Sequence, residues 1–202
     1  LVGSEMCIRD SLYTRSKEWP YSLGSYVDVL AQTTPMPLLL LPHPSDRGEL
    51  QERSVSDVLV LTDHITGSEE LVRKAACVAP RDGKLVLVHI EDDQTFARYA
   101  DIISKLPEVN TERTNDAIRD RLLQEARDYI DTAEAALTKA KPDLEVVSEV
   151  LMGHLVKQVR ELVERHDVDL IALAVKDEDQ LAMHGLAYPL AIEFSEIPML
   201  LV

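Results

Sequence analysis

The chain's histidines stand at His43, His64, His89, His154, His166 and His184. None has another His or Cys four positions away, the spacing that sets two ligands on one helical face, so a zinc site has no support. His64 beside Asp63 has the parts of a general base, but no serine in a glycine-flanked strand-turn-helix accompanies it. His89 lies inside the apolar run KLVLVHI and reads as a hydrogen-bonded core histidine. The carboxylates Glu91-Asp92-Asp93 after that run read as a solvated strand end rather than a metal site. Thr66-Gly67-Ser68 could nest an anion, yet a helix cap explains it without a ligand. Cys77, next to Ala75, Ala76 and Val78, reads as a buried small hydrophobe. These residues assemble no catalytic set, and no enzyme and no metal are expected.

The elements that must position them alternate. Residues 57–61 (DVLVL) form a first strand, and Thr66 with Glu69 fits a capping box for a helix over 68–78. Residues 84–90 are a second strand. A short helix over 95–106 and a long one over 115–140 follow. The long helix carries the stripe Ile118, Leu122, Ala126, Tyr129, Ala133 and Leu137, at helical spacing. Residues 144–151 are a third strand, and Gly153 opens the next turn. A helix over 154–166 shows Val156, Val159 and Val163 on one face. Residues 169–173 (DLIAL) are a fourth strand, and the closing helix leads to a fifth at 197–202. Strand-helix alternation with apolar strands implies an α/β fold, a doubly wound five-stranded parallel sheet of Rossmann-like type.

The closing unit occurs twice. Residues 23–41 (LGSYVDVLAQTTPMPLLLL) and 184–202 (HGLAYPLAIEFSEIPMLLV) align without a gap, Gly24 on Gly185 and Pro37 on Pro198. Each reads as a glycine, a short amphipathic helix, a proline and an apolar strand. Four segments follow: an artefact at 1–10, the C-terminal remnant of a first domain at 11–41, a linker at 42–55 and a complete second domain at 56–202. Residues 1–10 (LVGSEMCIRD) have neither the basic start nor the apolar stretch of a signal peptide. Back-translated, they resemble a transposase mosaic-end sequencing adapter read in frame. The segment is therefore expected to pack poorly against the core.

The chain has 202 residues and a formal net charge of −15. Such a surface repels phosphate backbones and anionic lipid, so neither nucleic acid nor membrane is an expected partner. Two cysteines make no disulfide framework, and a reducing compartment is expected.

The order of elements resembles the universal stress protein family. The resemblance rests on residues 58–63 (VLVLTD), 87–90 (LVHI), Gly153, Asp169-Leu170-Ile171, and Gly24-Ser25 and Gly185 before the two proline-strand units. It implies a stress-response protein of the cytoplasm, often in tandem, that dimerises through its last edge strand. Here the partner is expected to be self, as a homodimer or as a pseudo-dimer in which the 36–41 strand meets 197–202. It also implies a nucleotide site at Leu61, Asp63, Ile90, Leu173, Ala174, Asp177, Gly185 and Leu186. Nucleotide-binding members follow the fourth strand with Gly-x2-Gly-x9-Gly-Ser/Thr, glycines that let backbone amides converge on phosphate. Aligned from Asp169, the glycines fall on Ala174, Asp177 and Gly185, the hydroxyl falls on Leu186, and the loop is two residues short. Asp177, Glu178 and Asp179 add repulsion where phosphates would sit. The second domain is therefore expected to hold no cofactor. The alternative is an ATP-binding switch, seated near Asp63 or in the first domain, where Thr14 and Gly24-Ser25 keep the Thr-x9-Gly-Ser spacing.

Overall fold

A computed structural model describes residues 27, 29–31, 34, 36–42, 54–62, 69–106, 110–175 and 187–202. The strands are β1 (Leu38–Leu40), β2 (Asp57–Leu61), β3 (Lys84–Asp92), β4 (Glu145–Gly153), β5 (Leu170–Leu173) and β6 (Met199–Leu201). The helices are α1 (Glu69–Val78), α2 (Asp93–Ser104), α3 (Thr111–Ala140), α4 (Leu155–His166) and α5 (Ala187–Glu193). The strands make one sheet in the order β1-β6-β5-β2-β3-β4. β2 to β6 run parallel, as their consecutive apolar residues require. The sheet has six strands rather than five, because β1 adds to β6 in the antiparallel sense.

Alternate residues of the strands point to opposite faces, and each face has its own core. On one, Leu59, Val86, Val88 and Ile171 meet Val159 and Leu162 of α4 and Leu190 of α5. On the other, Val58, Val60, Leu85 and Leu87 meet Leu71 and Val72 of α1 and Ile130 and Leu137 of α3. Helices on both faces make the fold doubly wound.

Several expectations move at their edges, for local reasons. α2 begins at Asp93 instead of 95 because the Asp92 carboxylate accepts hydrogen bonds from the Gln94 and Thr95 amides at 3.3 and 3.1 Å. α3 begins at Thr111 instead of 115 because Asn110 Oδ1 accepts from the Arg113 amide at 3.1 Å. Both are side-chain caps outside the apolar stripe. β4 runs on to Gly153, whose partner across the ladder is Asp92. Cys77 is exposed, correcting the buried reading: Ala75 and Ala76 fill the inner face of α1, and Cys77 and Val78 turn outward. Residues 1–10, with their expected poor packing, and Thr66 of the capping box lie outside the described residues.

The lower ends of the strands are pinned by charge. Asp169 Oδ2 accepts from the Ser56 and Asp57 amides at 2.9 and 3.1 Å, tying β5 to β2. Lys84 Nζ lies 3.1 Å from Asp57 Oδ1 and donates to the His166 carbonyl at 3.1 Å. β3 is thereby joined to β2 and to the end of α4.

Candidate functional site

In an open α/β sheet the crevice lies at the carboxyl ends of the strands, where neighbouring connections leave for opposite faces. Here that point falls between β2 and β5. Their last residues, Leu61 and Leu173, are partners across the ladder, and Leu61 also faces Val88 of β3. Ile90 stands two residues further along β3, opposite Leu151. Leu173 is buried, Leu61 and Ile90 are half-buried, and all three pack on the α4 face. The structure thus brings these three expected residues together as an aliphatic wall. Ala174 follows β5, half-buried, and packs on the other face with α1 and α3. Asp63, Asp177, Gly185 and Leu186 lie outside the described residues, as do His64, Glu178 and Asp179.

Beside the wall a polar chain closes the top of β2 and β3. The Val88 carbonyl accepts from the Thr62 amide at 2.8 Å and from Thr62 Oγ1 at 3.0 Å. His89 Nδ1 lies 3.1 Å from the Thr62 carbonyl and donates to it. Nε2 of the same ring is thereby turned to Glu91 Oε1, 3.0 Å away. His89 is buried with both nitrogens engaged, the core histidine that its apolar setting implies. What it holds is the carbonyl from which the chain leaves β2 toward Asp63.

The acidic run has a structural task that its composition concealed. Burial works against the charged form of Asp92, yet other effects prevail. The Thr95 hydroxyl donates to its carboxylate at 2.8 Å, the Gln94 and Thr95 amides add their bonds, and His154 adds a favourable charge. Together they hold the Asp92 carboxyl below the usual range. Among the described residues no group of His, Cys, Asp and Glu could hold a metal ion. No helix among them is long and apolar enough to cross a membrane.

The second place where separate parts of the chain meet is the β1–β6 ladder. Leu38 pairs with Leu201, Leu39 with Leu200 and Leu40 with Met199. The repeat that sets Pro37 on Pro198 also sets Leu39 on Leu200. The equivalent residues Leu39 and Leu200 therefore face each other, Leu38 faces the equivalent of Leu40 and Leu40 that of Leu38, and the ladder is two-fold symmetric about the Leu39–Leu200 pair. Neither the repeat alone nor the ladder alone carries that symmetry.

No family model and no curated protein matches the sequence. Solved structures do match its fold. The hypothetical protein MJ0577 superposes with a TM-score of 0.59 at 15% identity, covering 74% of this chain and 96% of that one. Universal stress protein UspA from Lactobacillus plantarum gives 0.56 at 13%, covering 75% and 99%. A protein from the universal stress protein family from Burkholderia pseudomallei gives 0.50 at 19%, covering 77% and 98%. Nearly the whole length of each neighbour finds its counterpart in this chain, and the fold of this chain is that of the universal stress proteins.

Proposed function

We propose that the chain is a universal stress protein-like module of the cytoplasmic stress response that acts by association between like domains and not by catalysis. The observation that carries this reading is the two-fold ladder about Leu39 and Leu200. A strand pairing with its own repeat equivalent, in antiparallel register, is the geometry of an isologous interface between two copies. Residues 11–41 are then the end of one copy and 56–202 the whole of another, joined as a pseudo-dimer within one chain. The Ala174, Asp177, Leu186 series supports a second domain that works without nucleotide, since it lacks the glycines and hydroxyl that gather phosphate.

Sedimentation tests the association. The full chain fills the β6 edge with its own β1 and is expected to run as a monomer at micromolar concentration. A chain of residues 54–202 bares that edge and is expected to dimerise through β6. A monomer from both would remove the support for an associating edge. The ATP-switch reading draws on a different observation, the aliphatic wall of Leu61, Ile90 and Leu173 at the switch point. ATP binding by residues 54–202 would favour it.

A further inference from the structure

Of the described helices, α2 alone has no buried residue, whereas α1, α3, α4 and α5 each bury two or more. It packs on α3 and on the ends of β3 and β4. Phe96, Ala100 and Ile103, half-buried at helical spacing, lie along one side, and the Arg119 guanidinium of α3 stands 5.4 Å from the Phe96 ring centroid. The next side of the helix is apolar too, and bare. Tyr99 is 54%, Ile102 58% and Leu106 51% exposed. Leu106 stands in the turn after α2, where its amide donates to the Ile103 carbonyl at 3.1 Å and prolongs the helical path. The three take the i, i+3, i+7 places by which a helix anchors on an apolar partner. Together they expose a patch on the order of 300 Å², the scale of functional patches on monomers. The far flank of this stripe is basic. Arg98 and Lys105 are exposed there, on the side away from Phe96, and Lys105 keeps Asp101 2.6 Å away, one helical turn behind. In a chain of net charge −15, a basic margin on a bare apolar stripe sets this face apart.

We infer that the Tyr99–Ile102–Leu106 face of α2 docks an amphipathic helix of another protein, apolar along its contact side and acidic beside it. The inference is independent of the pairing between β1 and β6. A second copy is a poor occupant. Two α2 helices related antiparallel by a two-fold axis meet along the same flank, which sets each copy's Arg98 beside the other's Lys105. Related in parallel, each basic flank meets the side already packed on α3. A lipid surface is a poor occupant as well, because Asp93 and Asp101 share the helix and the net charge repels anionic headgroups. An acidic helix answers both features: its aliphatic side chains cover Tyr99, Ile102 and Leu106, and its carboxylates meet Arg98 and Lys105.

The probe is a fluorescein-labelled synthetic helix of about four turns, with leucines at alternating three- and four-residue spacing and glutamates beside them. A control peptide carries lysine in place of each glutamate. Both are titrated into the full chain and read by anisotropy. The acidic peptide is expected to bind with a Kd of about a hundred micromolar, the weak range that suits so small a patch, and the basic one at least tenfold more weakly. Ile102→Glu, at an exposed position, should weaken the acidic peptide tenfold or more and leave the urea midpoint unchanged. Arg98→Glu combined with Lys105→Glu should reverse the preference in favour of the basic peptide, a result that damage to the fold does not produce. Absence of binding by the acidic peptide overturns the proposal, as does equal binding of the two peptides. Binding that Ile102→Glu leaves intact lies elsewhere and overturns it too. A full chain that sediments as a dimer, and as a monomer with Ile102→Glu, gives the face to a second copy and overturns it. Co-sedimentation with phosphatidylserine–phosphatidylcholine vesicles, abolished by Ile102→Glu, gives the face to lipid and overturns it as well.

Discussion

At the scale of single residues, the tightest constraint is a glycine that no motif singled out. A Cβ built on Gly83 would lie 2.5 Å from the Ser56 carbonyl oxygen and 2.7 Å from Pro80 Cγ, where the turn into β3 presses against the start of β2. Backbone on one side and a rigid ring on the other leave no room to yield. Gly83→Ala is expected to cost about 1–3 kcal/mol, read as a lower urea midpoint with unchanged slope. Asp92 gives a pH-dependent case. Its carboxyl is held below the usual range in the folded state, so its contribution is present at neutral pH and fades as pH falls through that lowered value. Asp92→Ala should cost about 1 kcal/mol at pH 7 as a lost cap, and markedly less near pH 2, in parallel urea titrations. The buried state of His89 was legible because apolar neighbours on both sides leave a strand residue nowhere else to go. The caps at Asp92 and Asn110 were not. A capping side chain is selected by the geometry of two or three amides, which hydrophobic spacing does not encode. The outward turn of Cys77 was misread for a related reason, since four small apolar residues in a row cannot all share one helical face.

Elements repeat that lesson at larger size. The stripe of α3 was legible as far as Ala126 and Leu137, which are buried, but it omitted Ile130, which is buried too. Positions 126, 130 and 137 face the sheet under the strands, whereas Ile118 and Leu122 are only half-buried, toward the α2 end. Periodicity locates the apolar side of a helix and says nothing about where along its length the sheet ends. Ile130→Ala is accordingly expected to cost about 2–5 kcal/mol, and Ile118→Ala well under half as much, in paired thermal or urea melts. Equal costs would mean that the sheet supports the helix along its whole length. The type and order of the described strands and helices from β2 to β6 were legible because strand and helix periods differ so strongly.

For the molecule as a whole, the parallel sheet could be read from alternation, but the sixth strand's place required the repeat to be combined with an unpaired edge. Of the eight expected site residues, the topology places Leu61, Ile90 and Leu173 together where the strand order reverses. The phosphate side turns on loop residues whose types already argue against binding. ATP titrated calorimetrically into residues 54–202 is expected to show a Kd weaker than about 1 mM, less than roughly 4 kcal/mol. A micromolar value would reverse that reading. The ladder between β1 and β6 also has a temporal side. Its strands come from nearly opposite ends of the sequence, and β1 has no edge to join until the β5–β6 pairing exists. Closing so long a loop belongs late in folding, after the parallel core has formed. β1 is then the last strand to arrive and the first to leave, opening without the rest of the sheet. Leu40→Ala should hasten its detachment and leave the refolding rate of the core unchanged, so the outermost pairing of the described sheet is also its fastest door.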